Sequence, residues 1–188
     1  MLALALTAEL NGVTKLRPVD TEDQPFHYTF KVQCTSCREI HPNWVSVSRF
    51  EKNEQSGSRG EANFVWRCKS CKREHTANIV EAPVAYVHPS QQDPSTHSTH
   101  STNPAKGGAH TANIIVLDCR GLEFVEFKAD GDWEADGYQN ATEDTEEGGP
   151  TGTKFEAIDL TEGEWYDYDE KASEEVSIQN IKWDIRRA

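Results

Sequence analysis

The chain has 188 residues, a length that suits one domain or two small ones. Its 32 acidic residues outnumber 19 basic ones, and a net charge of −13 is repelled by phosphate backbones, which argues against general nucleic-acid binding. No segment is long and apolar enough to predict a membrane-spanning helix, so we expect no membrane partner.

The predicted secondary structure is almost entirely β. At the N-terminus, Leu2, Leu4 and Leu6 alternate with small residues, as the side chains of a strand do. Further strands, rich in β-branched and aromatic residues, are predicted at 26–33, 44–50, 63–67, 76–80, 112–118 and 175–185. Only 171–175 resembles a helical turn, so the sequence predicts a mostly β fold.

Polar segments divide the chain. Residues 88–110 contain no large apolar side chain and cannot bury enough surface to offset the entropy of ordering. They predict a linker between an N-terminal β half at 1–87 and a C-terminal β half at 111–188. The linker histidines His97 and His100 leave weak metal binding open. A second loop, acidic and Gly-rich, is predicted at roughly 130–153.

Two CxxC pairs, Cys34/Cys37 and Cys68/Cys71, are separated by thirty residues. Two such pairs can close a tetrahedral zinc site, because each turn presents two sulfurs to one point. Each pair follows a predicted strand, whereas a redox dithiol usually precedes a helix. The spacing therefore favours a structural zinc with all four cysteines as ligands. Four thiolates leave no open position for water, so the site is not expected to be hydrolytic.

The surroundings of these cysteines are basic. Residues 31–73 contain nine basic and four acidic side chains, which would offset the net charge of −2 of a zinc held by four thiolates. A nucleic-acid patch is the alternative. Because four of the five cysteines have metal-ligand spacing, the chain is expected in a reducing compartment.

Three further residues could take part in metal binding or thiol chemistry. His41 and His75 each follow a pair by four residues and could replace a sulfur, but four sulfurs suffice, so we expect them to contact the site rather than ligate. Cys119 is predicted to be a small buried side chain at a strand end. A reactive or metal-relaying thiol is the alternative.

The run 164–171 combines three aromatic with four acidic residues. Its carboxylates could serve as acid and base, but no nucleophile or glycine-rich phosphate loop accompanies them. We expect an acidic-aromatic surface that packs on the body or meets a basic partner, and no enzyme. A weak internal sequence similarity relates the strand ending at Cys34 to the strand ending at Cys119, and residues 64–68 to residues 155–159. The second copy would then keep only Cys119 of its ligands.

Together, these residues resemble the eukaryotic CXXC-motif-containing zinc-binding protein family, long classed as a domain of unknown function. The resemblance runs nearly end to end, and its motifs are 14–18, 34–37, 59–60, 68–71, 119–123 and 165–171. It implies two β-rich halves related by a pseudo-two-fold, packed as one zinc-stapled unit with one zinc held by the four cysteines. It also implies a cytoplasmic or nuclear location and brings no established catalytic activity. Phe124 departs from the pattern, which has proline there.

Three functions remain open at this point. The first is a non-enzymatic protein that binds another, unidentified protein through the acidic and aromatic surface of its second half. The second is a metal-handling or redox accessory protein that uses Cys119 or the linker histidines. The third, less favoured by the net charge, is nucleic-acid binding by the basic zinc half.

Overall fold

The computed structural model describes residues 1–88, 91, 110–141 and 148–188, and these residues contain strands and no α-helix. The first half contributes β1 (Leu2–Asn11), β2 (Val13–Pro18), β3 (Tyr28–Cys34), β4 (Val45–Val47), β5 (Asn53–Glu54), β6 (Glu61–Ala62), β7 (Phe64–Arg67) and β8 (Glu74–Ile79). The second contributes β9 (Thr111–Arg120), β10 (Leu122–Lys128), β11 (Trp133–Gln139), β12 (Gly149–Ile158), β13 (Trp165–Asp169) and β14 (Glu174–Arg187). The predicted β class is confirmed. Within the described residues, no helix is long and apolar enough to cross a membrane.

The strands form four sheets, and every pairing is antiparallel. The largest sheet has the order β13-β14-β1-β9-β8-β7. Two three-stranded sheets have the orders β10-β3-β4 and β12-β11-β2, and β5 pairs with β6. The central strands β1 and β9 therefore hold the two halves of the chain together in one sheet.

The sheet orders show the expected pseudo-two-fold. Exchanging β1–β2 with β9–β10, β3–β4 with β11–β12, and β7–β8 with β13–β14 maps the six-stranded sheet onto itself. The same exchange maps one three-stranded sheet onto the other. The predicted architecture of two β-rich halves related by a pseudo-two-fold is thus confirmed.

The two halves exchange their first hairpins. Strands β9 and β10 of the second half pair with β8 and β3 of the first, while β1 and β2 pair with β14 and β11. Neither half can therefore complete its sheets alone. The predicted boundaries fall between β8 and β9, but most of 88–110, including His97 and His100, lies outside the described residues, so the linker stays a prediction.

The core is continuous across both halves. Leu4 and Leu6 of β1 are fully buried, and so are Ala3 and Ala5 between them, so β1 is covered on both faces. One cluster of buried side chains joins β1 and β9 to the three-stranded sheets. The alternation of leucine with alanine in β1 therefore reflects tight packing on the second face rather than exposure to solvent.

The prediction of a loop at 130–153 is wrong for half of that range. Trp133 begins β11 and Gly149 begins β12, and only 142–147 lie outside the described residues. The inward side chains of β11 are Trp133, Ala135 and Gly137, with carboxylates between them. Two small inward residues and an acidic outer face conceal the alternation of a strand, which is why composition suggested a loop.

Candidate metal centre

The first CxxC pair forms a tight turn at the end of β3. The backbone N–H of Cys34 donates to Glu39 O at 2.9 Å, and that of Arg38 donates back to Cys34 O at 2.9 Å. Arg38 has a left-handed backbone with φ of 64°. This conformation turns the chain so that Cys34 and Cys37 point to one side.

The second pair repeats this geometry between β7 and β8. The N–H of Cys68 donates to Arg73 O at 3.0 Å, and the N–H of Lys72 donates to Cys68 O at 3.0 Å. Lys72 has φ of 60°, matching Arg38 in the first turn. The sequence prediction that each pair follows a strand holds for both turns.

The two turns bring four sulfurs together. The Sγ atoms of Cys34, Cys37, Cys68 and Cys71 all lie within 4.8 Å of one another. The Cys34–Cys71 and Cys37–Cys68 distances are 3.6 and 3.5 Å. A tetrahedral zinc with Zn–S bonds of about 2.3 Å places its sulfurs about 3.8 Å apart, so the cluster fits zinc. Four sulfur ligands close the coordination shell.

Local electrostatics favour the thiolate at Cys34. Burial acts to raise the pKa of this thiol, but backbone N–H groups of Cys37 and Ser36 outweigh it and lower the pKa below its ordinary value. Arg73 donates to Ser36 Oγ at 3.1 Å and so ties the second turn to the first. Hydrogen bonds within and between the two turns therefore hold the four cysteines in place.

His75 is a contact of the cluster and not a member of it. Its ring is buried, and Nε2 lies 3.2 Å from Cys34 Sγ, within hydrogen-bond distance. On the other side, a Cβ at Gly121 would lie 2.1 Å from His75 Nδ1. Only glycine fits there, and its φ of 79° also requires it. His41 is likewise outside the cluster, and its ring lies 5.8 Å from that of Trp66.

Cys119 lies on β9, opposite Ala77 of β8, and is outside the four-sulfur cluster. Burial raises the pKa of its thiol to about 12, and the carboxylate of Asp118 adds to this effect. The side chain is therefore held neutral at physiological pH. The side chain is only partly buried, less than the small buried residue that was predicted, but its raised pKa favours that prediction over a reactive thiol.

Strand register identifies the true counterparts of the cysteines. Cys34 pairs with Leu122, which follows Gly121 by one residue; in the other half, Val13 follows Gly12 and pairs with Gly137. Gly137 is thus the counterpart of Cys34. Cys119 lies two residues before Gly121, and Leu10 lies two residues before Gly12, so Leu10 is the counterpart of Cys119. The interpretation of Cys119 as a surviving ligand position is therefore wrong. The similarity between two strands ending in cysteine was coincidental.

The counterpart of Cys68 is Asp169. Both residues end or follow the penultimate strand of their half, and four residues later Lys72 and Ser173 both adopt a left-handed backbone. The predicted match between 64–68 and 155–159 is therefore wrong, because the equivalent strand is β13. The run Asp169–Ala172 stands where the first half has Cys68–Cys71.

Asp169 replaces sulfur chemistry with hydrogen bonds. Its fully buried carboxylate accepts from the hydroxyls of Thr151 and Thr153, both at 2.6 Å. It also accepts from the backbone N–H groups of Lys171 and Ala172 at 2.9 and 3.3 Å. A Cβ at Gly137 would lie 2.2 Å from Thr151 Oγ1, so no larger side chain fits beside this network. Sequence reasoning missed it because its residues lie on separate strands.

These observations define a mostly β, pseudo-symmetric zinc-binding protein with one four-cysteine site. The model of the family described as "CXXC motif containing zinc binding protein, eukaryotic" matches residues 3–186. The chain belongs to this family. Its cofactor is zinc, as the family description and the sulfur cluster agree.

Relatives match along the whole chain. UPF0587 protein C2D10.03c of Schizosaccharomyces pombe is 42% identical, covering 99% of this chain and 98% of that protein. The human CXXC motif containing zinc binding protein is 32% identical, covering 96% and 94%. A crystal structure titled C1orf123 has a TM-score of 0.75 at 31% identity and covers 100% and 99%. A hypothetical protein from Plasmodium falciparum, 18% identical with a TM-score of 0.72 over 98% of each chain, shares the fold.

Proposed function

We propose that this chain is a non-enzymatic interaction protein of the cytoplasm or nucleus, in which zinc stabilises the fold and a basic protein partner binds at strand β13. The observation that carries the proposal is the exposed tyrosine pair of this edge strand. Tyr166 and Tyr168 are 59% and 50% exposed, although both are large and aromatic. Exposed tyrosines on an edge strand are typical of protein interfaces.

The surface around the tyrosine pair is acidic. The Tyr166 hydroxyl donates a hydrogen bond to the Glu164 carboxylate at 3.1 Å. Asp167 on the same strand and Glu170 in the turn that follows it are also exposed. Together with the net charge of −13, these carboxylates favour a cationic partner at long range. Asp169 is not part of this surface, because its side chain is buried.

The metal site supports a structural role. Four sulfurs satisfy zinc completely, so neither water nor substrate has a coordination position to occupy. Thiolate ligands persist in reducing compartments, which is consistent with the proposed location. The metal-handling alternative has less support, because the raised pKa of Cys119 keeps that thiol neutral. Nucleic-acid binding has less support because the chain as a whole is strongly acidic.

A double variant, Tyr166→Ala with Tyr168→Ala, tests the proposal. The wild-type protein is used to capture partners, and each captured candidate is purified. The affinity of each candidate for the wild-type protein and for the variant is then measured by titration calorimetry at low and high salt. We expect the double variant to lose at least tenfold in affinity, since tyrosines often dominate interface energies. Trp44→Ala is the matched control, because Trp44 is a comparably exposed aromatic residue in the other half. Unchanged affinity in the double variant would contradict the proposal.

A further inference from the structure

The outer edges of β2 and β10 are equivalent positions that differ in what covers them. In β2, Val13 pairs with Gly137 and Pro18 with Trp133. In β10, Leu122 pairs with Cys34 and Phe127 with Phe30. Both strands contain a register shift in the middle of these pairs. Leu16 lies three residues after Val13 and two before Pro18, and Val125 lies three residues after Leu122 and two before Phe127. Leu16 and Val125 therefore occupy equivalent positions at the register shift.

The edge at Leu16 is covered by the chain itself. After β8, the chain continues along β9, where Val80 N and Val84 N donate to Val116 O and Ile114 O, and it then reaches β2 at Tyr86. Tyr86 N donates to Leu16 O at 2.8 Å, and Leu16 N donates to Tyr86 O at 3.0 Å. The tyrosine ring is fully buried, and its hydroxyl donates to Ala8 O at 2.8 Å. The segment 80–88 thus supplies one β-bridge and one aromatic anchor, and Leu16 is 0% exposed.

The edge at Val125 has no such cover within the described residues. There, β14 continues along β1 as far as Arg187, and the described residues show no bridge to β10 equivalent to that between Tyr86 and Leu16. Strand β10 accordingly lies at the edge of its sheet, and Val125 is 37% exposed. A groove of about 590 Å³ lies between β10 and the end of β14.

The groove has the lining of a peptide site. Its apolar wall includes Val125 together with Trp183 and Ile185 of β14. The Trp183 ring packs against Phe127 at 4.8 Å and against Trp133 at 5.2 Å, so this wall is supported by the aromatic core. The carboxylates of Glu126 and Asp184 stand at its rim. The opposite end contains Arg186, which donates to Asn113 Oδ1 at 2.8 Å, and the exposed Arg187.

From these features we infer that the groove binds an extended, basic peptide segment of a partner protein, which adds to β10 as a strand and places a large apolar or aromatic side chain against Val125 and Trp183. The internal symmetry supports backbone pairing at this edge, since the equivalent edge already forms a β-bridge with an extended segment of the chain itself. The rim carboxylates and the net charge of −13 support a basic peptide. The inference deepens the proposed interaction function and rests on it, but it assigns a different surface from the tyrosine pair of β13.

The chain offers its own probe. A fluorescein-labelled peptide with the sequence of residues 80–88 carries the segment that covers β2, and a second peptide adds two lysines at each end. Binding to the full-length zinc protein is followed by fluorescence anisotropy. We expect saturable binding, at least fivefold tighter for the lysine peptide at low salt, and at least tenfold weaker when the tyrosine of the peptide is replaced by alanine. Absence of saturation up to millimolar protein would overturn the inference.

Variants of the protein then locate the site. Val125→Glu adds a charge to the exposed edge, and we expect it to weaken binding of the lysine-free peptide at least tenfold while the melting temperature stays within a few degrees. Tyr168→Ala, on the β13 edge, is the matched control and is expected to bind normally. Chemical-shift changes in NMR spectra should centre on Val125 and the Trp183 indole. Changes centred on Leu16 would mean that the peptide displaces the native segment, and would refute the assignment.

The two proposals fail separately. If the peptide does not bind but the variant of Tyr166 and Tyr168 still loses its partner, the β10 groove is refuted and the β13 surface stands. If the peptide binds and Val125→Glu abolishes binding while the tyrosine variant keeps its partner, the groove stands and the β13 surface is refuted.

Discussion

Replacing Asp169 by alanine should strongly destabilise a protein whose metal site is untouched. The buried carboxylate accepts four hydrogen bonds, two from threonine hydroxyls and two from backbone N–H groups. Removing one member of a buried charged network costs about 3–5 kcal/mol, since the donors that remain lose their partner. We therefore expect Asp169→Ala to lower the free energy of unfolding by about 4 kcal/mol.

Chemical denaturation and thermal melting both measure this loss. For a chain of this size, about 4 kcal/mol corresponds to a fall in melting temperature of roughly 8–16 °C. Asp167→Ala is the matched control, because Asp167 is an exposed carboxylate on the same strand, and it should change stability by less than about 0.5 kcal/mol. Zinc content, measured below the melting transition, should be unchanged in both variants. A loss below about 1 kcal/mol for Asp169→Ala would refute the reasoning.

The pH dependence of stability gives a second measurement on the same group. Burial acts to raise the pKa of Asp169, but the hydrogen bonds from Thr151 and Thr153 outweigh it and lower the pKa below its ordinary value. A depressed native pKa means that the stabilisation is complete above the unfolded value of about 4 and is lost as the pH falls through the native value. Wild-type stability should thus fall more steeply below about pH 4 than that of Asp169→Asn.

The remaining predictions concern the zinc half. Cys34→Ser, or prolonged chelation, should remove the single zinc equivalent measured by native mass spectrometry and should unfold the chain. Zinc binding supplies on the order of 10 kcal/mol, which is comparable to the stability of a whole domain. A folded zinc-free variant would contradict this. Gly121→Ala forces a Cβ into His75 and should cost at least about 3 kcal/mol by denaturation, whereas Gly57→Ala, with open space around the Cβ, should cost about 1 kcal/mol. Cys119 should react with iodoacetamide at pH 8 at least tenfold more slowly in the folded protein than in denaturant, and an equal rate would restore the reactive-thiol alternative.

The sequence predicted what depends on local pattern. The strands around both cysteine pairs were recognised because β-branched and aromatic residues surround them, and the cysteine spacing alone indicated one shared metal. The acidic strand β11 was missed, since the packing of Trp133 against a distant hairpin outweighs its local composition. The Asp169 network was missed for a related reason. Its hydroxyl donors Thr151 and Thr153 lie sixteen or more residues away, on β12.

The exchange of hairpins was also beyond the sequence, and it changes what the zinc stabilises. Hairpin β9–β10 belongs to the second half in sequence, but β10 pairs with β3 up to Cys34 itself. Loss of the zinc site therefore destabilises both halves at once, because the ring of His75 contacts both Cys34 and Gly121. Loss of one cysteine is for this reason expected to unfold the whole chain and not the first half alone.

The two halves solve one structural problem with different chemistry. In each, the turn after the penultimate strand must be held against the end of a strand from the neighbouring sheet. In the first half, sulfurs from Cys34 and Cys68 do this through zinc; in the second, the carboxylate of Asp169 does so through threonine hydroxyls, beside Gly137. A carboxylate works at any metal concentration but contributes about 4 kcal/mol, against about 10 kcal/mol for zinc. The first half therefore adds a dependence on metal to the stability of the fold, and the second half adds a dependence on the ionisation of one buried carboxylate.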